Sequence, residues 1–211
     1  ESAFRAATRS WLAANGLTST TLVEPTGVDP RNVSTPRELL ALAHIAMANP
    51  TIAELVGMTQ TAVPGIPARP NTNTMLGTFG IFGVKTGTLD GYGSNLLFMG
   101  RLRAGAELVE VTGVLLSGTS HDAVDNEVRA WLQSIEDGFR RVQVGTRGAE
   151  VGTVTTEWGA SAPLVVDADA ELLLWSDTPI TVELSPLSVP SGVVGEQVGS
   201  VTWTAGPNSR S

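Results

Sequence analysis

Lys85-Thr86-Gly87 sets an ammonium, a hydroxyl and a residue without a side chain in direct succession, after a mostly apolar run over residues 75–84. Lys85 is the single lysine in 211 residues, whereas arginine is used twelve times. Arginine therefore serves wherever any positive charge will do, and a compact hydrogen-bonding point charge is a different tool. An ammonium beside a hydroxyl suits a substrate carboxylate. Gly87 would let an extended peptide lie against a strand edge by β-augmentation. The backbone N–H of Thr88 is then a candidate oxyanion donor. A Lys-(Ser/Thr)-Gly triplet alone arises by chance in roughly one chain in ten of this length, so its setting decides its weight. An apolar strand leads in, Thr88-Leu89-Asp90-Gly91-Tyr92-Gly93 reads as a turn, and a strand resumes at Asn95-Leu96-Leu97-Phe98. With no second lysine, the chain holds no Ser-x-x-Lys element.

The elements that must position this triplet follow from periodicity and punctuation. Phe4, Ala7, Trp11, Leu12 and Leu17 fall at roughly helical spacing before and after Asn15-Gly16, so residues 2–15 form a helix. Residues 18–33 are turn-rich. Ser34-Thr35-Pro36-Arg37-Glu38 is a helix start in which Glu38 stands third after Thr35, as in a capping box. That helix covers 35–48 and stops at Asn49-Pro50, with a shorter helix over 51–58. Residues 81–84, 95–102 and 108–116 read as strands, the last two joined in an antiparallel hairpin through Arg103-Ala104-Gly105-Ala106. Val124, Val128, Trp131, Leu132, Ile135 and Phe139 form one stripe of a helix over 120–139.

Beyond Val142 helical signals end. Short apolar runs at 150–154, 164–166, 172–175, 180–184 and 197–203, separated by Gly, Pro, Asp and Ser, predict a small β domain. Charge changes at the same place, with 13 acids and 11 bases up to Val142 against 8 acids and 2 bases after it. The expected fold is α+β over 1–142, with three antiparallel strands carrying Lys85 at one end, followed by an all-β domain over 143–211. The formal net charge of -8 argues against nucleic acid as a partner. No cysteine and only two histidines, His44 and His121, make a metal site unexpected, and no cofactor is implied. No run reaches the ~20 apolar residues of a membrane helix, and no signal peptide is present. The opening Glu1-Ser2 reads as cut from something longer.

Other polar residues have plainer roles. Asp90 reads as a turn residue and not a catalytic acid. His44 lies on a mostly apolar helix and is expected packed or at the surface. His121-Asp122 sits at a helix start near a strand end, in reach of a cleft, with capping the favoured role. Asn71 and Asn73 fit loop anchoring and substrate contact equally. The five tryptophans are expected in core or edge packing. Gly91-Tyr92-Gly93 lacks the third glycine and following helix of a nucleotide loop. Asn32-Val33-Ser34 matches a glycosylation sequon but carries no weight here.

The pieces also form an ordered series. Ser-x-x-Lys, Ser-Asp-Asn and Lys-Thr-Gly are the motif set of penicillin-binding proteins and class A β-lactamases. Phe4 to Leu17 resembles a helix with a Leu-Gly-Leu-type turn, Glu24-Pro25-Thr26-Gly27-Val28 a Pro-x-Gly-Leu turn, and Ser34-Thr35-Pro36-Arg37-Glu38-Leu39 a Ser-Thr-Ala-x-Asp-Leu start. Asn71-Thr72-Asn73-Thr74-Met75-Leu76 resembles Asn-x-Asn-x-Leu-Leu. Lys85 to Asp90, with Gly93 and Asn95, resembles Lys-Thr-Gly-x-Thr-Asp-x-Ala-Gly-x-Asn. The series resembles the C-terminal part of a low-molecular-mass penicillin-binding protein, a serine-type D-alanyl-D-alanine carboxypeptidase. The β region after Val142 resembles that family's appended domain, although shorter. Leu89 and Tyr92 replace the usual Thr and Ala after the triplet.

The resemblance implies a partial penicillin-binding-protein/β-lactamase-like domain of an extracytoplasmic cell-wall hydrolase. Its partners would be the D-Ala-D-Ala end of peptidoglycan stem peptides and β-lactams, with membrane contact only through segments outside this chain. Lys85 would be the catalytic residue carried over, with Thr86, Gly87 and Thr88 binding substrate. In that family the nucleophilic serine, its lysine partner and Ser-x-Asn precede the helix at Phe4, and none is in this chain. The chain alone is therefore expected not to acylate. It is also expected to expose an apolar face and to aggregate or seek a partner. The alternative is a non-enzymatic envelope module that binds peptide or a partner. A class A β-lactamase fits less well, since those enzymes lack an appended β domain.

Overall fold

Thr35 and Asn49 each open a helix by capping it. In the computed structural model, which describes residues 2–60, 63–187 and 193–211, Thr35 Oγ1 accepts from Glu38 N (3.2 Å) at the start of α2 (Pro36–Met47). Glu38 does not complete a capping box. Its carboxylate instead takes the Ser19 N–H (2.8 Å) and the Thr20 hydroxyl, tying α2 to the turn-rich segment before it. Asn49 Oδ1 accepts from Thr51 N (3.0 Å) and Ile52 N (3.3 Å), so the residue expected to end α2 also starts α3 (Pro50–Gly57). With α1 (Ser2–Ala14), these helices precede the first sheet.

That sheet has the order β1-β2-β3, all antiparallel: β1 (Ile81–Leu89), β2 (Gly93–Ala104) and β3 (Glu107–Gly118). The hairpin between β2 and β3 needs two linking residues, and Gly105 takes a positive φ of 65° to close it. Gly83, paired with Met99, faces α2 and α3: a Cβ there would stand 3.2 Å from Val56 and 3.3 Å from Met47. Side chains alternate between faces, so Ser94, Leu96 and Phe98 point the other way. There α4 (His121–Gly138) packs, its Val124, Val128 and Leu132 buried, with Val124 pressed against Gly118. The mixed helix-and-sheet class and the three-stranded order follow the sequence expectation.

The chain divides into two compact units, Glu1–Gln133 and Ser134–Ser211. The division falls inside α4, upstream of the change in composition at Val142. The second unit contains β4 (Phe139–Gly145), β5 (Glu150–Thr155), β6 (Ser161–Val165), β7 (Ala170–Trp175), β8 (Thr181–Pro186), β9 (Gly199–Ala205) and β10 (Asn208–Arg210). They pair antiparallel as β4-β7, β5-β6 and β10-β9-β8. Its core is Val166, Ala170, Leu172, Leu174, Trp203 and Ala205. Two strands, β4 and β10, lie outside the expected runs. Of the tryptophans expected in core or edge packing, Trp203 lies in this core and Trp175 packs at an edge, its indole against Gly138 and donating to the Ile135 carbonyl (3.1 Å), while Trp11, Trp131 and Trp158 are 40% exposed or more.

Candidate functional site

Lys85 is the middle residue of β1, not its last. The strand continues through Thr86, Gly87 and Thr88 to Leu89 because residues 93–97 of β2 pair with it, leaving only Asp90, Gly91 and Tyr92 as the turn. Sequence reading placed the turn from Thr88 onward, since Thr88, Asp90 and two glycines look like punctuation. The pairing partner overrides that local signal.

β1 is an outer strand: among the described residues only β2 pairs with it. Asn95 of β2 sends Nδ2 to the Gly87 carbonyl (3.4 Å), which is thus turned toward β2. Carbonyls alternate along a strand, so Thr86 and Thr88 direct their backbone N–H and C=O groups to the open edge. Lys85 is an exposed residue, and its amine donates to the Thr86 carbonyl, which draws its charge round to that edge. An ammonium and outward backbone donors are therefore gathered on one strand margin, with Gly87 leaving open space where a Cβ would stand. The site is an open edge. Two cavities of the first unit lie elsewhere, one lined by Arg5, Leu12 and Leu17, the other by His44, Phe82 and Met99.

Side chains lock this edge from the α4 face. Thr86, 7% exposed, has its hydroxyl 2.5 Å from that of Thr72. Asn71 holds the preceding segment by donating to the carbonyls of Val56 (3.3 Å) and Met58 (2.9 Å) and accepting from Asn73 N (2.9 Å). Of its two expected roles, Asn71 thus performs anchoring. Thr74 donates to Asp125 of α4, and Asn73 Oδ1 accepts from Met75 N (3.1 Å). Asn95 Oδ1 accepts from Ser117 N (2.9 Å), joining β3 to the same network. His121 Nε2 lies 2.7 Å from Thr88 Oγ1, whose other neighbour is Ser94 Oγ at 3.1 Å.

Ser120, not His121, caps α4, accepting from Ala123 N at 3.1 Å, which frees the imidazole for Thr88. His44 is exposed and pairs with Thr112 (3.1 Å), a surface role. Asp90 is exposed in the turn. Thr72 and Ser94 gave no signal in sequence, because isolated hydroxyl residues have no diagnostic spacing.

No protein-family model and no curated protein matches the sequence. Solved structures do. Penicillin binding protein 5 from Haemophilus influenzae superposes with a TM-score of 0.60 at 19% identity, over 99% of this chain and 62% of its own. Penicillin binding protein 6B from Escherichia coli gives 0.60 at 19%, over 99% and 58%. A Streptomyces DD-transpeptidase gives 0.52 at 26%, over 61% and 51%. The chain has the fold of part of a penicillin-binding protein. It spans about three fifths of the length of the first of these proteins.

Proposed function

We propose that this chain is the substrate-carboxylate half of a penicillin-binding serine DD-peptidase, a D-Ala-D-Ala carboxypeptidase that trims peptidoglycan stem peptides outside the cytoplasm. The observation that carries the reading is the placement of Lys85-Thr86-Gly87 on the open margin of an outer strand, within a fold shared with penicillin-binding proteins. An extended peptide adding beside β1 meets the outward N–H and C=O of Thr86 and Thr88, as in strand addition. Its terminal carboxylate falls to Lys85 and the Thr86 hydroxyl, and its scissile carbonyl oxygen to the Thr88 N–H.

The remaining chemistry belongs to a nucleophile outside this sequence. A serine hydroxyl supplied upstream would add to the terminal amide carbonyl, D-alanine would leave carrying the proton, and water would release the acyl group. A β-lactam would acylate the same serine by opening of its ring. Lys85 would contribute positive potential, holding the carboxylate while charge develops on the oxyanion.

Fluorescent penicillin tests both halves. The chain alone is expected to remain unlabelled, while the gene product extended upstream through a Ser-x-x-Lys and a Ser-x-Asn labels covalently. Lys85→Gln in that longer protein lowers the acylation rate by about a hundredfold. Labelling of the chain alone would refute the absent nucleophile. A start codon close to Glu1 would favour the non-enzymatic module, and unchanged acylation in Lys85→Gln would remove Lys85 from the site.

A further inference from the structure

All six residues of β8 are exposed, although the strand belongs to a three-stranded sheet. Among the described residues only β9 pairs with it. Val182 lies opposite Trp203 and Leu184 opposite Val201, so both side chains stand on the core face of that sheet. They are nevertheless 59% and 57% exposed, because the core cluster ends at β9. Thr181, Glu183 and Ser185 occupy the other face. The bonds to β9 define the free edge. Leu187 N donates to the Val198 carbonyl (2.8 Å), and a Cβ on Gly199 would stand 2.8 Å from the Ser185 carbonyl oxygen. Antiparallel strands alternate residues that face the neighbour with residues that face away. Thr181, Glu183 and Ser185 therefore bond β9, while Val182, Leu184 and Pro186 turn their backbone outward. Two outward donors result, since Pro186 has no N–H. No lysine or β-bulge blunts this edge, which makes it a template for another strand.

We infer that this edge is a two-fold dimer interface, on which β8 of a second copy adds antiparallel with Leu184 opposite the partner's Leu184. Val182 then meets the partner's Pro186, and Glu183 the partner's Ser185. Both outward donors are used: Leu184 N–H bonds the partner's Leu184 carbonyl, and Val182 N–H the partner's Pro186 carbonyl. Pro186 serves as an acceptor only, so of the outward groups just the Val182 carbonyl stays with water. Leu184 packs on its own copy and Val182 on the partner's Pro186, which carries the apolar face past the core. On the other face each Glu183 carboxylate meets a serine hydroxyl. The neighbouring register, centred on Glu183, would oppose two carboxylates directly. The edge is thus complementary to itself, as a two-fold interface requires. A six-residue strand pair is small beside the ~1,200–2,000 Å² of standard interfaces, and the net charge of -8 on each copy works against association. The dimer is therefore weak and favoured by salt, which screens that repulsion.

Sedimentation of the full chain should give monomer at about 1 µM and reversible dimer near 1 mM, tighter in about 0.5 M than in about 0.05 M NaCl. Cross-linking fixes the register. The chain holds no cysteine, so Leu184→Cys introduces a single thiol. Hydrogen-bonded partners across an antiparallel pair stand about 5.5 Å apart at Cα, within reach of a disulfide. Under mild oxidation Leu184→Cys should form covalent dimer at least about tenfold faster than Leu187→Cys. Leu187 is equally exposed, at 57%, but falls opposite the partner's Thr181. Val182→Cys should link to Pro186→Cys when the two variants are mixed. Leu184→Lys should abolish the dimer while hydrogen-exchange protection at Trp203 persists, which shows that the sheet is still folded. A chain that stays monomeric near 1 mM, or equal cross-linking at positions 184 and 187, overturns the inference. Dimer that survives Leu184→Lys overturns it too, placing self-association on another surface. A monomer whose Val182 and Leu184 amide signals shift only on adding a basic extended peptide assigns the edge to a different partner and overturns the second copy.

Discussion

The carboxylate of Glu24 gathers more donors than any other acid described in the first unit. It takes the Thr26 hydroxyl, the N–H groups of Thr26 (2.6 Å), Gly27 (2.8 Å) and Asp29 (3.2 Å), and Asn32 Nδ2 (2.7 Å). The Thr26 side chain first, then the backbone donors, hold its pKa down from 4.5 to about 2. Asp29 follows it to about 2, chiefly through the Arg31 side chain, which clamps it by Nε (2.9 Å) and Nη2 (2.5 Å). Both folded carboxyls are stronger acids than their unfolded counterparts. Their contribution is therefore complete above about pH 4.5 and is lost as pH falls toward 2. Carboxyl-carbon NMR should give midpoints near 2, and Glu24→Gln should flatten that limb of the stability curve. A Glu24 midpoint near 4.5 would contradict the network. Sequence made the turn at Pro25-Thr26-Gly27 legible, but not its organiser, because a glutamate two residues before a threonine is commonplace. Lys85 was legible for the opposite reason: it is unique in the chain, and its neighbours are chemically apt.

At the scale of elements, the sheet is held by close approach. A Cβ on Gly113 would sit 2.3 Å from the Phe98 ring tip, and Phe98 is 2% exposed directly across the β2–β3 pair. Overpacking of this kind costs about 1–3 kcal/mol. Gly113→Ala should lower the urea midpoint of the first unit without changing its slope, and a combined Phe98→Leu should recover part of the loss. An unchanged midpoint would mean that the ring is free to move. The three strands, the hairpin and α4 were readable because their apolar residues keep period 2 or 3.6. The length of β1 was not, since Lys85-Thr86-Gly87-Thr88 is polar on both faces of an outer strand. β4 was missed for a related cause. Phe139-Arg140-Arg141-Val142 follows α4 without a break and suits a helix C-terminus as well as a strand.

For the molecule as a whole, the sequence announced two parts through charge and composition, yet the compact units divide within α4, at Gln133 and Ser134. An amphipathic helix runs through that point with its stripe intact, so no local signal marks it. The second unit rests on a small core, and Trp203 is its largest member. Trp203 is 7% exposed, with Val142, Val144, Val151 and Val201 packed around the cluster. Gly145 exists to admit it, since a Cβ there would stand 2.8 Å from the indole. Replacing a buried tryptophan by alanine costs about 3–5 kcal/mol, against a total of about 5–15 kcal/mol for an ordinary domain and less for a small one. Trp203→Ala is therefore expected to unfold this unit, read as loss of hydrogen-exchange protection at Leu172 and Leu174 on β7. Trp203→Phe should retain most of that protection. Protection that survives in Trp203→Ala would show that the β4–β7 pair is held by contacts other than the indole.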